Sequence, residues 1–147
     1  KGIDDMAVRF SRCCNPVPGD EIIGFVTRGR GLSIHRTDCI NVINLPEDER
    51  GRLIDAEWQV AENSTSTEQY STEIQIFANN RIGMFSDISK VFTEKQIDIT
   101  SMNVRTSKQG RATIIMTFDI HGTEELNRIT DKIRQIDGVL DIQRTTG

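Results

Sequence analysis

Arg111-Ala112-Thr113-Ile114-Ile115-Met116-Thr117-Phe118-Asp119-Ile120 decides the fold of the second half of this chain. Ala112, Ile114, Met116, Phe118 and Ile120 recur at every second position, the period of a strand with one buried face. Just upstream, Lys108-Gln109-Gly110-Arg111 reads as a hairpin turn. Its partner strand carries Ile97, Ile99, Met102 and Val104, with a slip of phase near Ser101 that a bulge accommodates. Further back, Met84, Ile88, Val91 and Phe92 fall at helical spacing and Phe85 widens the stripe. Asn79-Asn80-Arg81-Ile82-Gly83 separates that helix from a first strand bearing Ile74, Ile76 and Ala78. Downstream, Leu126, Ile129, Ile133 and Ile136 share one helical face, Asp137-Gly138 stops the helix, and Val139 to Arg144 closes with a short strand. The order is βαββαβ, so the expected fold is α+β: a ferredoxin-like antiparallel sheet with two helices on one face.

The first half is smaller and less regular. Ile22, Ile23, Phe25 and Val26, then Arg28-Gly29-Arg30-Gly31, then Leu32 and Ile34 read as a hairpin with a glycine turn. Thr37-Asp38 is expected to cap a short helix carrying Ile40, Val42 and Ile43, and Leu53 to Trp58 to form one more strand. The run 61–69 is polar and holds no large apolar residue. It is read as a linker between a module at 1–60 and one at 70–147; the alternative is a long loop inside one domain. Trp58 and Tyr70 are expected to anchor the module edges.

Bulk properties exclude several classes. With 36% hydrophobic and 27% charged residues the chain has a globular composition. No apolar run reaches the roughly 20 residues a membrane span needs. The start at Lys1 has no apolar core of a secretory signal, and a beginning without methionine suggests a piece of something longer. A net charge of -4 disfavours general nucleic-acid binding, although residues 1–37 keep a local basic surplus. Three cysteines cannot form a closed disulfide framework, so a reducing, cytoplasmic setting is expected.

Those cysteines carry the chemistry. Cys13, Cys14 and Cys39 lie with His35 inside a short span of the first module. Three thiols and an imidazole are the donor set of a closed structural zinc site, and one zinc would staple a module with few apolar residues. The adjacent pair is the difficulty, because in an extended strand Cys13 and Cys14 point to opposite sides; Pro16 and Pro18 argue for a turn just after them. Reduced core thiols and a redox-active vicinal pair are the alternatives. Arg28, Arg30 and Arg36 form a basic set suited to phosphate, or else a solvated turn. No nucleophile, paired-acid or phosphate-loop constellation is present, so an enzymatic reading fails.

Three segments also carry a family likeness: Cys13-Cys14-Asn15-Pro16-Val17-Pro18-Gly19-Asp20, Gly24-Phe25-Val26-Thr27-Arg28-Gly29-Arg30-Gly31 and Ile34-His35-Arg36-Thr37-Asp38-Cys39. They resemble the C-terminal region of RelA/SpoT homologues, the synthetases and hydrolases of the alarmone (p)ppGpp in the stringent response. The resemblance implies a zinc-finger or ribosome-intersubunit module over 1–60 and an ACT domain over 70–147. It implies a non-catalytic regulatory role: contact with the ribosome and transfer RNA, through Arg28, Arg30 and Arg36, and relay of the starvation signal to N-terminal catalytic domains that lie upstream. The parent would be a GTP pyrophosphokinase, a (p)ppGpp 3'-pyrophosphohydrolase or both. The competing reading is an ACT homodimer that senses a branched-chain amino acid, with Asn80, Arg81, Gly83 and Asp98 lining its pocket.

Overall fold

The computed structural model describes residues 7–29, 31–58 and 68–145. Most of the expected linker, and Arg30, lie outside these residues.

The second module has the expected order. Strand β5 (Tyr70–Asn79), helix α2 (Met84–Glu94), strands β6 (Ile99–Thr106) and β7 (Arg111–Ile120), helix α3 (Thr123–Arg134) and strand β8 (Val139–Arg144) follow one another. The sheet order is β6-β7-β5-β8, antiparallel throughout. The alternating residues of β7 are all buried, as are Ile74, Ile76 and Ala78 of β5; Met84, Ile88, Val91 and Phe92 of α2 and Leu126, Ile129 and Ile133 of α3 pack into the same core. The expected bulge falls between Ile99 and Ser101, where the register with β7 shifts. Gly110, at φ +80°, closes the hairpin by donating its N–H to the Ser107 carbonyl.

The first module holds β1 (Ala7–Phe10), β2 (Ile22–Val26), β3 (Gly31–Arg36), the single-turn α1 (Ile40–Ile43), a 3-10 turn at Glu47–Arg52 and β4 (Leu53–Asp55). Its sheet order is β1-β3-β2-β4, with β1 parallel to β3. The glycine hairpin is present, closed by Thr27, whose backbone N–H and hydroxyl both donate to the Gly31 carbonyl. Two expectations are corrected. Thr37-Asp38 does not cap α1: Cys39 stands at the cap without a side-chain capping hydrogen bond, Thr37 faces Glu21 and Asp38 pairs with Arg36. The strand expected over Leu53 to Trp58 ends at Asp55.

The core of this module contains two cysteines, and Leu32 and Ile34 of β3 are buried as well. Cys14, Cys39 and Val42 are its buried centre, with Cys13, Ile23 and Leu53 packed against them.

The two modules meet over a continuous seam. Val17, fully buried, belongs to the core of the second module rather than to that of the first. It sits in a turn, Val17-Pro18-Gly19-Asp20, with proline at the second position and Gly19 at φ +104° at the third, as a type II turn requires. Asp20 closes the turn: its N–H donates to the Val17 carbonyl and its carboxylate accepts the Val17 N–H. That carboxylate also takes both terminal nitrogens of Arg144, at 2.7 and 3.0 Å. Thr123, the first residue of α3, donates its N–H to the Pro18 carbonyl. Phe10, Trp58 and Tyr70 form an aromatic trio, Phe10 stacked on Trp58 and Tyr70 edge-on to both. Trp58 and Tyr70, expected at the module edges, stand together with Phe10 at this seam, which the sequence reading did not foresee.

Candidate metal centre

The geometry of Cys13 and Cys14 follows from a tight turn. The Asn15 N–H donates to the Ser11 carbonyl at 3.0 Å, and Asn15 itself is left-handed at φ +49°, a conformation asparagine tolerates better than most residues. The backbone therefore coils through the cysteine pair instead of running extended, and both thiols reach one point. His35 arrives from β3, and Cys39 from the residue that opens α1.

All four donor atoms lie within 4.8 Å of one another. Cys13 Sγ is 3.3 Å from Cys39 Sγ, 3.9 Å from Cys14 Sγ and 3.4 Å from His35 Nδ1; Cys14 Sγ is 3.8 Å from the same nitrogen. A tetrahedral zinc with Zn–S near 2.3 Å sets its ligand atoms roughly 3.5–3.8 Å apart. The four distances given lie within about half an ångström of that spacing, and the widest donor separation, up to 4.8 Å, would close by about 1 Å around the ion.

The surroundings complete the fit. Ser33 lies two residues before His35 on β3, on the same side of the strand, and its hydroxyl is 3.1 Å from His35 Nε2. With Nε2 protonated and held there, Nδ1 faces the thiols as an acceptor, the arrangement that metal-bound histidines adopt. The Arg36 N–H donates to Cys14 Sγ at 3.3 Å. Sequence reasoning passed over Ser33, although the Ser-x-His spacing on a strand was the available signal.

Burial pushes the Cys14 thiol far up, helped by Cys39 and Cys13 beside it, and burial followed by the Cys13 contact raises Cys39. Burial also opposes ionisation of Cys13, but hydrogen bonds from Ser11, Asn41, Cys39 and Cys14 outweigh it and hold that thiol below its ordinary value. Burial, and secondarily the charge of Arg9, lowers His35 and keeps its imidazole neutral. Burial thus favours the neutral thiol at Cys14 and Cys39, and a dication bound among these donors would favour their thiolates.

The other sequence-expected residues are dispersed. Arg28 is exposed at the hairpin tip and pairs with Glu49 at 3.0 Å. Arg36 is 6% exposed and turned inward, donating to the Cys14 and Thr145 carbonyls and to Asp38. Its guanidinium is engaged inside the protein rather than presented with Arg28. In the second module Gly83, at φ +86°, opens α2, and Arg81 fixes the preceding loop by bonding Asp87 and the Asp137 carbonyl. Asn80 and Asp98 are exposed, Asn80 donating its N–H to the Gly110 carbonyl and Asp98 standing just before β6.

A cluster of three thiols and an imidazole that could hold a metal ion thus stands beside a ferredoxin-like sheet. Residues 1–59 match the RelA/SpoT RIS domain and residues 66–144 match the ACT domain. The chain belongs to the RelA/SpoT family and corresponds to the C-terminal portion of its members. It is 38% identical over 146 residues to a GTP pyrophosphokinase of Streptomyces coelicolor, a match covering 99% of this chain and 17% of that protein. It is 34% identical over 145 residues to a bifunctional (p)ppGpp synthase/hydrolase RelA of Mycobacterium tuberculosis, covering 99% of this chain and 19% of that protein. The crystal structure of an ACT domain from the GTP pyrophosphokinase of Chlorobium tepidum covers 52% of this chain and 99% of its own, with a TM-score of 0.47 at 23% identity. The chain thus spans less than a fifth of the length of these two curated relatives.

Proposed function

We propose that this chain is the non-catalytic regulatory end of a (p)ppGpp synthetase/hydrolase, contacting ribosome and transfer RNA and relaying amino-acid starvation to the catalytic domains of the parent protein. The carrying observation is the joint match of both modules to that family, supported by a donor cluster that fits one structural zinc at Cys13, Cys14, His35 and Cys39. A zinc held by these residues would supply a cross-link and no reaction step, with the Ser33 hydroxyl orienting His35 and the Arg36 N–H donating to Cys14. The exposed hairpin tip supports Arg28 as the phosphate-binding residue, with Arg30 beside it in sequence; the burial of Arg36 gives it a structural part instead. Among the described residues no helix is long and apolar enough to cross a membrane, and the cytoplasm is the proposed compartment.

Ribosome binding by the parent-length protein tests the reading. Replacing Arg28 and Arg30 by Ala lowers the slope of log affinity against log salt by about one unit for each phosphate that is no longer neutralised. Unchanged affinity and slope leave the tip a solvated turn and remove RNA binding from the proposal.

A second reading has its own support. The loop before α2 is held ready by Arg81, and β6 is an edge strand whose residues from Thr100 to Thr106 are exposed, including Met102 and Val104. These features suit a homodimer through residues 70–147 with a branched-chain amino acid bound near Asn80, Arg81, Gly83 and Asp98.

A further inference from the structure

The segment that supplies two of the four donors also supplies the seam. Cys13 and Cys14 face the metal site, while the stretch from Asn15 to Asp20 turns to the second module. The Asn15 carbonyl accepts from Arg144 at 3.1 Å, Val17 fills the core under the sheet, the Pro18 carbonyl accepts the first N–H of α3, and the Asp20 carboxylate grips Arg144. A second link runs through the neighbour of His35. The Arg36 guanidinium bridges the Cys14 carbonyl and the Thr145 carbonyl, both at 3.1 Å, while the Arg36 N–H touches the Cys14 sulfur. The seam admits no slack: a Cβ on Gly122 would stand 2.9 Å from the Pro18 carbonyl oxygen, and one on Gly19 would collide with the Thr123 side chain.

We propose that the loop Cys13–Asp20 is an internal docking surface whose partner is the ACT half of this same chain, and that through it metal occupancy and the folded state of the ACT domain stabilise each other. The coupling rests on zinc being held by Cys13, Cys14, His35 and Cys39. A filled site fixes the backbone of Cys13 and Cys14, which sets Val17, Pro18 and Asp20 against α3 and β8. Conversely, β8 and α3 hold the cysteine turn in its ligating shape before metal arrives, which lowers the ordering cost of binding. Two separately melting modules joined by a polar tether would show neither effect. By linkage the coupling is reciprocal, so it is visible from either side.

Hydrogen exchange and zinc affinity of the full chain test it together. In the zinc-loaded wild type, chelation speeds amide exchange at Thr123–Leu126 and Val139–Thr145 by about tenfold or more, the usual scale of such couplings, and leaves the hairpin at Ser107–Arg111 unchanged. Arg144→Met keeps every donor yet weakens zinc about tenfold in competition with a chromophoric chelator; Arg128→Met, on the exposed face of α3, does not. The wild-type exchange measurement needs no variant, so misfolding of Arg144→Met does not leave the question open. Stoichiometric zinc with exchange changes confined to residues 7–58, and Arg144→Met within twofold of wild type, overturns the coupling and leaves the metal reading standing. A chain that retains no zinc overturns the metal reading and the coupling with it.

Discussion

Val17→Ala is the most informative single substitution. Val17 is fully buried in the core of the second module although it lies more than fifty residues before that module begins. Removing its two methyl groups forfeits about 1.6 kcal/mol of transfer free energy at ~0.8 kcal/mol per group. A residual cavity of roughly 50 Å³ adds about 1 kcal/mol at ~24 cal/mol per Å³. The expected loss is therefore about 2.5 kcal/mol, provided that the seam holds the turn in place and prevents collapse. With a urea m-value of about 2 kcal/mol/M for a domain of this size, the midpoint falls by about 1.2 M at constant m. Far-UV circular dichroism across a urea series reads this directly. Val17→Thr keeps the shape but buries a hydroxyl, and is expected to cost about 1–3 kcal/mol. A loss under about 0.5 kcal/mol for Val17→Ala, well below the usual range for core truncation, refutes the placement of this residue in a shared core.

Elemental analysis of protein purified without chelator is expected to find one zinc per chain, and Cys14→Ser or Cys39→Ser to abolish it; a folded wild type free of metal removes the site. Gly122→Ala, which meets the Pro18 carbonyl oxygen at 2.9 Å, is expected to cost about 1–3 kcal/mol of stability, while Gly29→Ala, with nothing within 4 Å of the added carbon, stays near neutral in the same melt. Titration calorimetry with valine and isoleucine is expected to show binding that Asp98→Ala weakens; no heat at millimolar ligand, with a dimer intact by light scattering, leaves the ACT domain a protein-contact module only.

Regular elements with local periodicity were legible because one face of each is buried: the β7 alternation, the α2 and α3 stripes and the bulge near Ser101 all follow from neighbours in sequence. The cysteine and histidine donors were legible because their chemistry is rare and clustered. What escaped depends on partners far along the chain. Strand β1 shows no alternation, since Ala7, Val8, Arg9 and Phe10 are all exposed, and only its parallel pairing with β3 makes it a strand. Arg36 looks like a surface cation until the carbonyls of Cys14 and Thr145 are brought to it. Val17 lies between prolines in a polar stretch, and nothing local says that its burial is supplied by the other module. The Thr37-Asp38 cap failed because both side chains found nearer partners in Glu21 and Arg36.

The aromatic trio has an optical consequence. The chain has one tryptophan and one tyrosine, and both stand at the seam with ring centroids 5.5 Å apart. Trp58 donates its indole N–H to the carbonyl of Asp20, the residue that grips Arg144. The intrinsic fluorescence of the whole chain is therefore a gauge of this one junction: Tyr70 passes its excitation to Trp58 while the junction is closed, and emits for itself once it parts. A ligand that binds elsewhere and leaves the junction shut is silent in this signal. One that works by prising the two halves apart announces itself without any added label.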